Sequence, residues 1–212
     1  MKLETRTTIH GPRTMLQRAV FLDRDGVLNE LALNPATGEY ESPHTLAGTK
    51  VLPGAIAAAR RLQEAGFLLF IVSNQPSYAK GKATLENIIA IAALVERALR
   101  DGGVRLAAAY YCYHHPQGIV PGFSGPCGCR KPGTQSLLEA RDRYNLSLEQ
   151  SWMIGDQESD IVCGRLAGCR TILIANPLSA HRRPGVEQPT LCADDLPAAV
   201  EKLLSVVKGE RL

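Results

Sequence analysis

Aromatic residues are scarce in this 212-residue chain, at 5% of positions, and the net charge is only +3. Modules that bind nucleic acid stack bases on aromatic rings and concentrate Lys and Arg in one patch. Neither pattern is present, so a zinc-stabilised nucleic-acid-binding module is the weaker reading and no nucleic-acid partner is expected. Long apolar runs are also lacking. None reaches the ~20 residues that span a bilayer, so no membrane association is expected. The opening segment "MKLETRTTIHGPRTMLQ" (1–17) lacks the charged-then-apolar order of a secretory leader. It reads as a loosely ordered arm ahead of one domain over 18–212. The six cysteines do not suggest a disulfide framework. Three of them carry metal-type spacing, which favours a reducing, cytoplasmic setting. Cys163, Cys169 and Cys192 sit among small apolar residues and read as packing residues. Repeats, low-complexity tracts and interdomain linkers are missing, and a monomer is the expectation.

What the chain does have is alternation. With 45% hydrophobic and 21% charged residues it is built like an ordinary globular domain. Short apolar runs with strand character lie at 18–23, 67–74, 107–112, 151–156 and 170–176. Helical patterns lie between them, at 53–66, 84–103, 134–145 and 159–168, and 193–207 reads as a closing helix with Pro197 in its first turn. Strand and helix in turn imply an α/β, Rossmann-like doubly wound parallel sheet covered on both faces. Segments 29–52 and 112–133 are long and irregular, as functional loops often are.

Several apolar runs end in reactive polar groups: Asp23 after the first, Ser73 and Asn74 after the second, and Asp156 after the fourth. In a doubly wound sheet the carboxyl ends of the strands share one edge, where ligands bind. These groups are therefore expected to converge. In "DRDGVLN" (23–29), one carboxylate of Asp23 and Asp25 can attack phosphorus while the other moves a proton. A calcium loop is excluded because Val27 occupies a ligand position. "GDQESD" (155–160) brings Asp156, which with Asp23 would suit Mg²⁺. For Asp160, helix capping and support are as well motivated as ligation. "SNQPSYAKGKAT" (73–84) offers a hydroxyl and amides to phosphate oxygens but is no Walker loop, since Ala83 follows the lysine.

The segment "CYHHPQGIVPGFSGPCGCRKPG" (112–133) supplies Cys112, His114, Cys127 and Cys129, four ligands suited to tetrahedral Zn²⁺. With no open position for water, such a zinc would be structural. It would brace the loop (112–129) that delivers Arg130 and Lys131. His115 reads as a packing or hydrogen-bonding neighbour.

Together, "DRDGVLN", "SNQ", "CRKPG" and "GDxxxD" resemble the four motifs of the haloacid dehalogenase-like phosphatases, and the metal loop resembles the zinc-containing branch of that family. The likeness spans roughly residues 18–176. It implies a fold without a large cap domain and an aspartyl-phosphate intermediate on Asp23, with Asp25 as general acid and base. It also implies Mg²⁺ held by Asp23, the main-chain carbonyl of Asp25 and Asp156. Ser73 and Lys131 would neutralise the transferring phosphoryl group, and Asn74, Gln75 and Arg130 would bind substrate. The expected substrate is a small phosphorylated sugar, a heptose bisphosphate, ahead of histidinol phosphate; Asn29 and the "HHPQG" loop favour the former. Pro76 and Gln157 depart from the family pattern, and 30–54 is atypical.

Overall fold

The computed structural model of the protein describes residues 15–210, apart from 36, 184, 186 and 187. Most of the expected arm, residues 1–14, lies outside the described residues. Its last residue, Gln17, is bound to the domain: its N–H donates to Asn145 O at 2.9 Å, and its carbonyl accepts from Ser147 N at 2.8 Å.

Six parallel strands form the main sheet: β1 (Ala19–Leu22), β4 (Leu68–Asn74), β5 (Leu106–Cys112), β6 (Trp152–Gly155), β7 (Arg170–Ile174) and β8 (Leu191–Ala193). Their spatial order is β5-β4-β1-β6-β7-β8. Chain order therefore reverses between β1 and β6, the crevice where doubly wound sheets take their ligands. A separate two-stranded hairpin, β2 (Ala32–Leu33) and β3 (Tyr40–Glu41), arises from the long segment after β1.

Strand alternation decides which helices pack where. Val20, Leu22, Leu69, Ile71, Ile154 and Ile172 face α1 (Ala55–Glu64), α2 (Leu85–Asp101) and α5 (Leu196–Gly209). Ala19, Phe21, Phe70 and Met153 face the other way, onto α3 (Gln135–Tyr144) and α4 (Glu158–Ala167). Each large aliphatic side chain buried in this way contributes about 1.5–3 kcal/mol. The helix limits follow local signals. Thr84 caps α2 by accepting from Asn87 N, and Gly168, at φ 87, ends α4 in the left-handed region.

Four elements escaped the sequence expectations. β2, β3 and β8 are too short for periodicity to register. A 3-10 helix at Pro177–Arg182 follows β7, capped by Asn176, whose side chain accepts from Leu178 N. Cys192, expected to pack, is instead exposed, because β8 is an edge strand; Cys163 and Cys169 are buried as expected.

Candidate active site and metal centres

Adjacency of β4, β1 and β6 brings three strand ends together. Asp23 continues β1, its N–H donating to Ile154 O on β6 at 2.9 Å. The chain then turns through Gly26, whose φ of +84 favours glycine, and a Cβ there would collide with the Asp156 carboxylate. Gly155 is required for a similar reason, since a Cβ would strike Asp160. Two glycines thus let acids from three segments approach one another. Ligand oxygens of Asp23, Asp156 and Asp160 all lie within 4.8 Å of each other.

Lys131 joins this cluster from the far side of the irregular loop. Its Nζ lies 2.8 Å from Asp23 Oδ1, 2.6 Å from Asp160 Oδ1 and 2.6 Å from Val72 O. Burial opposes its charge, but Asp160 and Asp23 outweigh burial and raise its pKa. Asp160 serves two purposes. Its Oδ2 accepts from Gln157 N at 3.0 Å in a capping box, while Oδ1 meets the lysine. Burial pushes its carboxyl up to about 6 despite Lys131.

Asp156 is the unsatisfied member. Both of its carboxylate oxygens are buried without a hydrogen-bond partner. Burial, with repulsion from Asp23 and Asp160, raises its pKa to about 8. A buried carboxylate facing two others fits a site for a divalent cation, which would offset the repulsion and use the orphaned oxygens.

A second donor set closes the loop 112–129. Cys112 Sγ lies 3.6 Å from Cys127 Sγ and 3.2 Å from Cys129 Sγ, with 3.5 Å between the latter two. His114 Nδ1 is 3.8 Å from Cys112 Sγ and 3.6 Å from Cys129 Sγ. A tetrahedral zinc with Zn–S near 2.3 Å has sulfur–sulfur edges of about 3.8 Å, so these four side chains fit one with small adjustment. His115 stands apart, its Nδ1 accepting from Gln117 N at 3.1 Å.

The amides after β4 are engaged within the protein. Asn74 Nδ2 donates to Lys131 O, and Asn74 Oδ1 accepts from Lys131 N, both at 3.0 Å. This reciprocal clamp fixes the backbone of Lys131. Gln75 is buried, and its amide donates to Asp25 Oδ2 at 2.6 Å and Ser73 Oγ at 3.1 Å. Burial alone would raise the Asp25 pKa. Arg24 and the hydrogen bonds from Asn29, Gln75 and Ser42 reverse this and hold it below the usual carboxylate range.

Above the acids opens a cavity of about 290 Å³. Its lining includes Lys80, Lys82, Arg130 and Arg182 together with Glu39 and Glu41. Burial and the nearby cations Lys82, Arg130 and Arg182 lower the Lys80 pKa. Arg130 falls as well, chiefly through burial. The β2–β3 hairpin forms one wall. Lys82 Nζ holds Glu41 Oε2 at 2.6 Å, and Arg182 Nη2 donates to Tyr40 O at 2.9 Å. Sequence reasoning missed Lys80 and Arg182. The only available signal for Arg182 was Asn-Pro opening "NPLSAHRR", a helix-start pair followed by basic residues.

A family model described as HAD-hydrolase-like matches residues 128–199. The chain is 33% identical over 186 residues to the D-glycero-beta-D-manno-heptose-1,7-bisphosphate 7-phosphatase of Yersinia pestis, covering 86% of this chain and 95% of that protein. It is 35% identical over 195 residues to the D-glycero-D-manno-heptose-1,7-bisphosphate 7-phosphatase of Thermosynechococcus vestitus, covering 88% and 95%. Among solved structures, D,D-heptose 1.7-bisphosphate phosphatase from B. bronchiseptica, complexed with magnesium and phosphate, superposes with a TM-score of 0.72 at 28% identity over 90% of this chain and 99% of that one. With a likeness of this extent in sequence and in fold, the chain belongs to the haloacid dehalogenase-like hydrolases.

Proposed function

We propose that the protein hydrolyses the 7-phosphate of D-glycero-D-manno-heptose 1,7-bisphosphate, using Mg²⁺ and an aspartyl-phosphate on Asp23. The observation that carries the reading is the convergence of Asp23, Asp156, Asp160 and Lys131 at the ends of β1, β6 and the metal-site loop. Asp23 attacks phosphorus, and the bond from phosphorus to the sugar oxygen breaks. Asp25 passes a proton to that oxygen and then takes one from the water that releases phosphate from Asp23, for which the contacts from Arg24, Asn29 and Gln75 that favour its ionised form must loosen. Ser73 and Lys131 receive the charge spread over the phosphoryl oxygens. Asp23, the Asp25 carbonyl and Asp156 would hold Mg²⁺, whose charge would offset that of the phosphoryl group.

The cavity rim supports the choice of a bisphosphate. Besides Lys131, the cavity is lined by Lys80, Lys82, Arg130 and Arg182 against Glu39 and Glu41, cations available to a second phosphate. Histidinol phosphate would instead bring its own ammonium group towards those cations. Phosphate release measured over heptose bisphosphate, hexose monophosphates and histidinol phosphate is expected to show the highest kcat/KM with the bisphosphate. Equal or greater turnover of histidinol phosphate would overturn the substrate assignment, and inactivity towards every phosphomonoester would overturn the reaction.

The cation site has a test apart from activity. Mg²⁺ at a hundredfold excess over its Kd is expected to stabilise the folded protein by about 2.7 kcal/mol. Asp156→Asn removes one repelling carboxylate, so the metal-free variant should melt no lower than wild type yet respond little to Mg²⁺. A full Mg²⁺ response in that variant would place the ion elsewhere.

Zinc, in this reading, braces the loop that carries Arg130 and Lys131. Cys127→Ser is expected to lower Tm by ~5 °C or more, about 2 kcal/mol for a chain of this size, and to reduce kcat/KM in parallel. Unchanged melting and kinetics in a preparation lacking bound zinc would remove the bracing role.

A further inference from the structure

Lys131 reaches the acids from a loop, and loops hold side chains less precisely than strands do. Between β5, which ends at Cys112, and α3, which starts at Gln135, the chain forms only turns and an isolated bridge. Two contacts tie Lys131 to β4 instead. The Asn74 carboxamide donates from Nδ2 to Lys131 O and accepts from Lys131 N on Oδ1, both at 3.0 Å. At the far end of the same residue, Nζ donates to Val72 O at 2.6 Å. Val72 and Asn74 stand two residues apart on β4. That rise is about 6.6 Å, which the four-carbon stem of a lysine can span. Both ends of Lys131 are thus set against one strand.

On the β5 side the main chain of β4 is already taken. The two strands pair as far as Asn74 and Cys112, and Gln75 N donates to Cys112 O at 2.7 Å just beyond. Pairing with β1 stops at Ile71 and Leu22, one residue short of the carbonyl that receives Nζ. A carboxamide carries a donor and an acceptor as a peptide group does. Asn74 therefore offers the loop a rung that the strand's backbone does not.

The contacts at the two ends of Lys131 differ in what substrate does to them. Nζ has three N–H groups. They meet Asp23 Oδ1 at 2.8 Å, Asp160 Oδ1 at 2.6 Å and Val72 O at 2.6 Å. An arriving phosphoryl oxygen must displace one of these partners. The clamp on the backbone takes no part in that exchange.

We propose that Asn74 is a positioning residue, whose clamp on the Lys131 backbone keeps the ammonium in place while it exchanges a partner for the transferring phosphoryl group. This inference rests on the phosphatase reading, in which Lys131 stabilises charge on the phosphoryl oxygens. Asn74 also lines the cavity, and its carboxamide has a second N–H, so direct contact with the sugar is the rival outcome.

The test compares kcat/KM for the heptose bisphosphate and for p-nitrophenyl phosphate, each with Mg²⁺. Asn74→Leu keeps the volume of the side chain and removes the clamp. Lys131 meets the phosphoryl group common to both esters, so both values are expected to fall by the same factor. A misplacement of about 1 Å sets its scale at about 10–100-fold. The substitution is then repeated in Lys131→Met/Asp160→Asn, where no ammonium is left to place. There it is expected to change kcat/KM by less than about twofold. Asn74→Ser, too short to bridge the Lys131 N–H and carbonyl, gives the same comparison should Asn74→Leu not fold. Loss confined to the bisphosphate would show that Asn74 contacts the sugar. An undiminished loss in the background without Lys131 would show general damage. Either result, or no loss at all, overturns the positioning role while the phosphatase reading stands. If the wild-type protein cleaves neither ester, the phosphatase reading fails and the inference fails with it.

Discussion

Asp23→Asn is expected to reduce phosphate release from any substrate by about 10⁴-fold or more, the scale of loss when a covalent nucleophile is removed. The amide has nearly the shape of the carboxylate, so the fold should persist. Lys131 retains Asp160 at 2.6 Å and Val72 O at 2.6 Å in the variant. Loss of one of three crowded acids also relieves repulsion at Asp156. Melting at or above the wild-type temperature, together with the loss of turnover, is the expected pair of results. Substantial activity in the variant would mean that another group attacks phosphorus.

Lys131→Met is expected to harm both stability and catalysis. Nζ is the cation that separates Asp23 from Asp160, and both acids are almost fully buried. Removing one partner from a buried ion pair costs about 3–5 kcal/mol, because the remaining charge is left uncompensated. Chemical denaturation should therefore show a loss of this order. Turnover should fall by about 10²–10³-fold, the penalty for removing one group that stabilises transition-state charge. Adding Asp160→Asn should recover part of the stability by removing one orphaned acid, but not the turnover. A Lys131→Met protein with wild-type stability would show that the ion pairs at Lys131 do not hold the site together.

The convergence at the candidate site was legible because its polar groups end apolar runs. Asp23 and Asp156 follow, and Ser73 lies at the end of, strands that a short buried pattern reveals, and parallel packing then puts those ends on one edge. The sheet's main strands and flanking helices were legible for the same reason. Other parts lacked such a signal. The hairpin strands have two residues each and β8 has three, below any useful period. Lys80 lies in the turn-rich stretch before α2, and Arg182 in a two-turn 3-10 segment after β7, where no repeat points inward. Sequence also cannot tell which way an amide faces. Asn74 and Gln75 were expected to meet substrate; Asn74 lines the cavity and also holds the Lys131 backbone, and Gln75 holds Asp25. The buried Arg24 attracted no attention because a charged residue between two acids looks like part of an exposed turn. Yet it is fully buried, its guanidinium near Tyr111, 87 positions further along the chain.

The most direct test is to find where the phosphoryl group goes. Protein mixed with substrate and Mg²⁺, acid-quenched during turnover and digested, is expected to carry one phosphoryl group on the peptide containing Asp23, removable by hydroxylamine. Phosphate release with the group found on a different residue, or with no phosphorylated peptide at any quench time, would contradict the account.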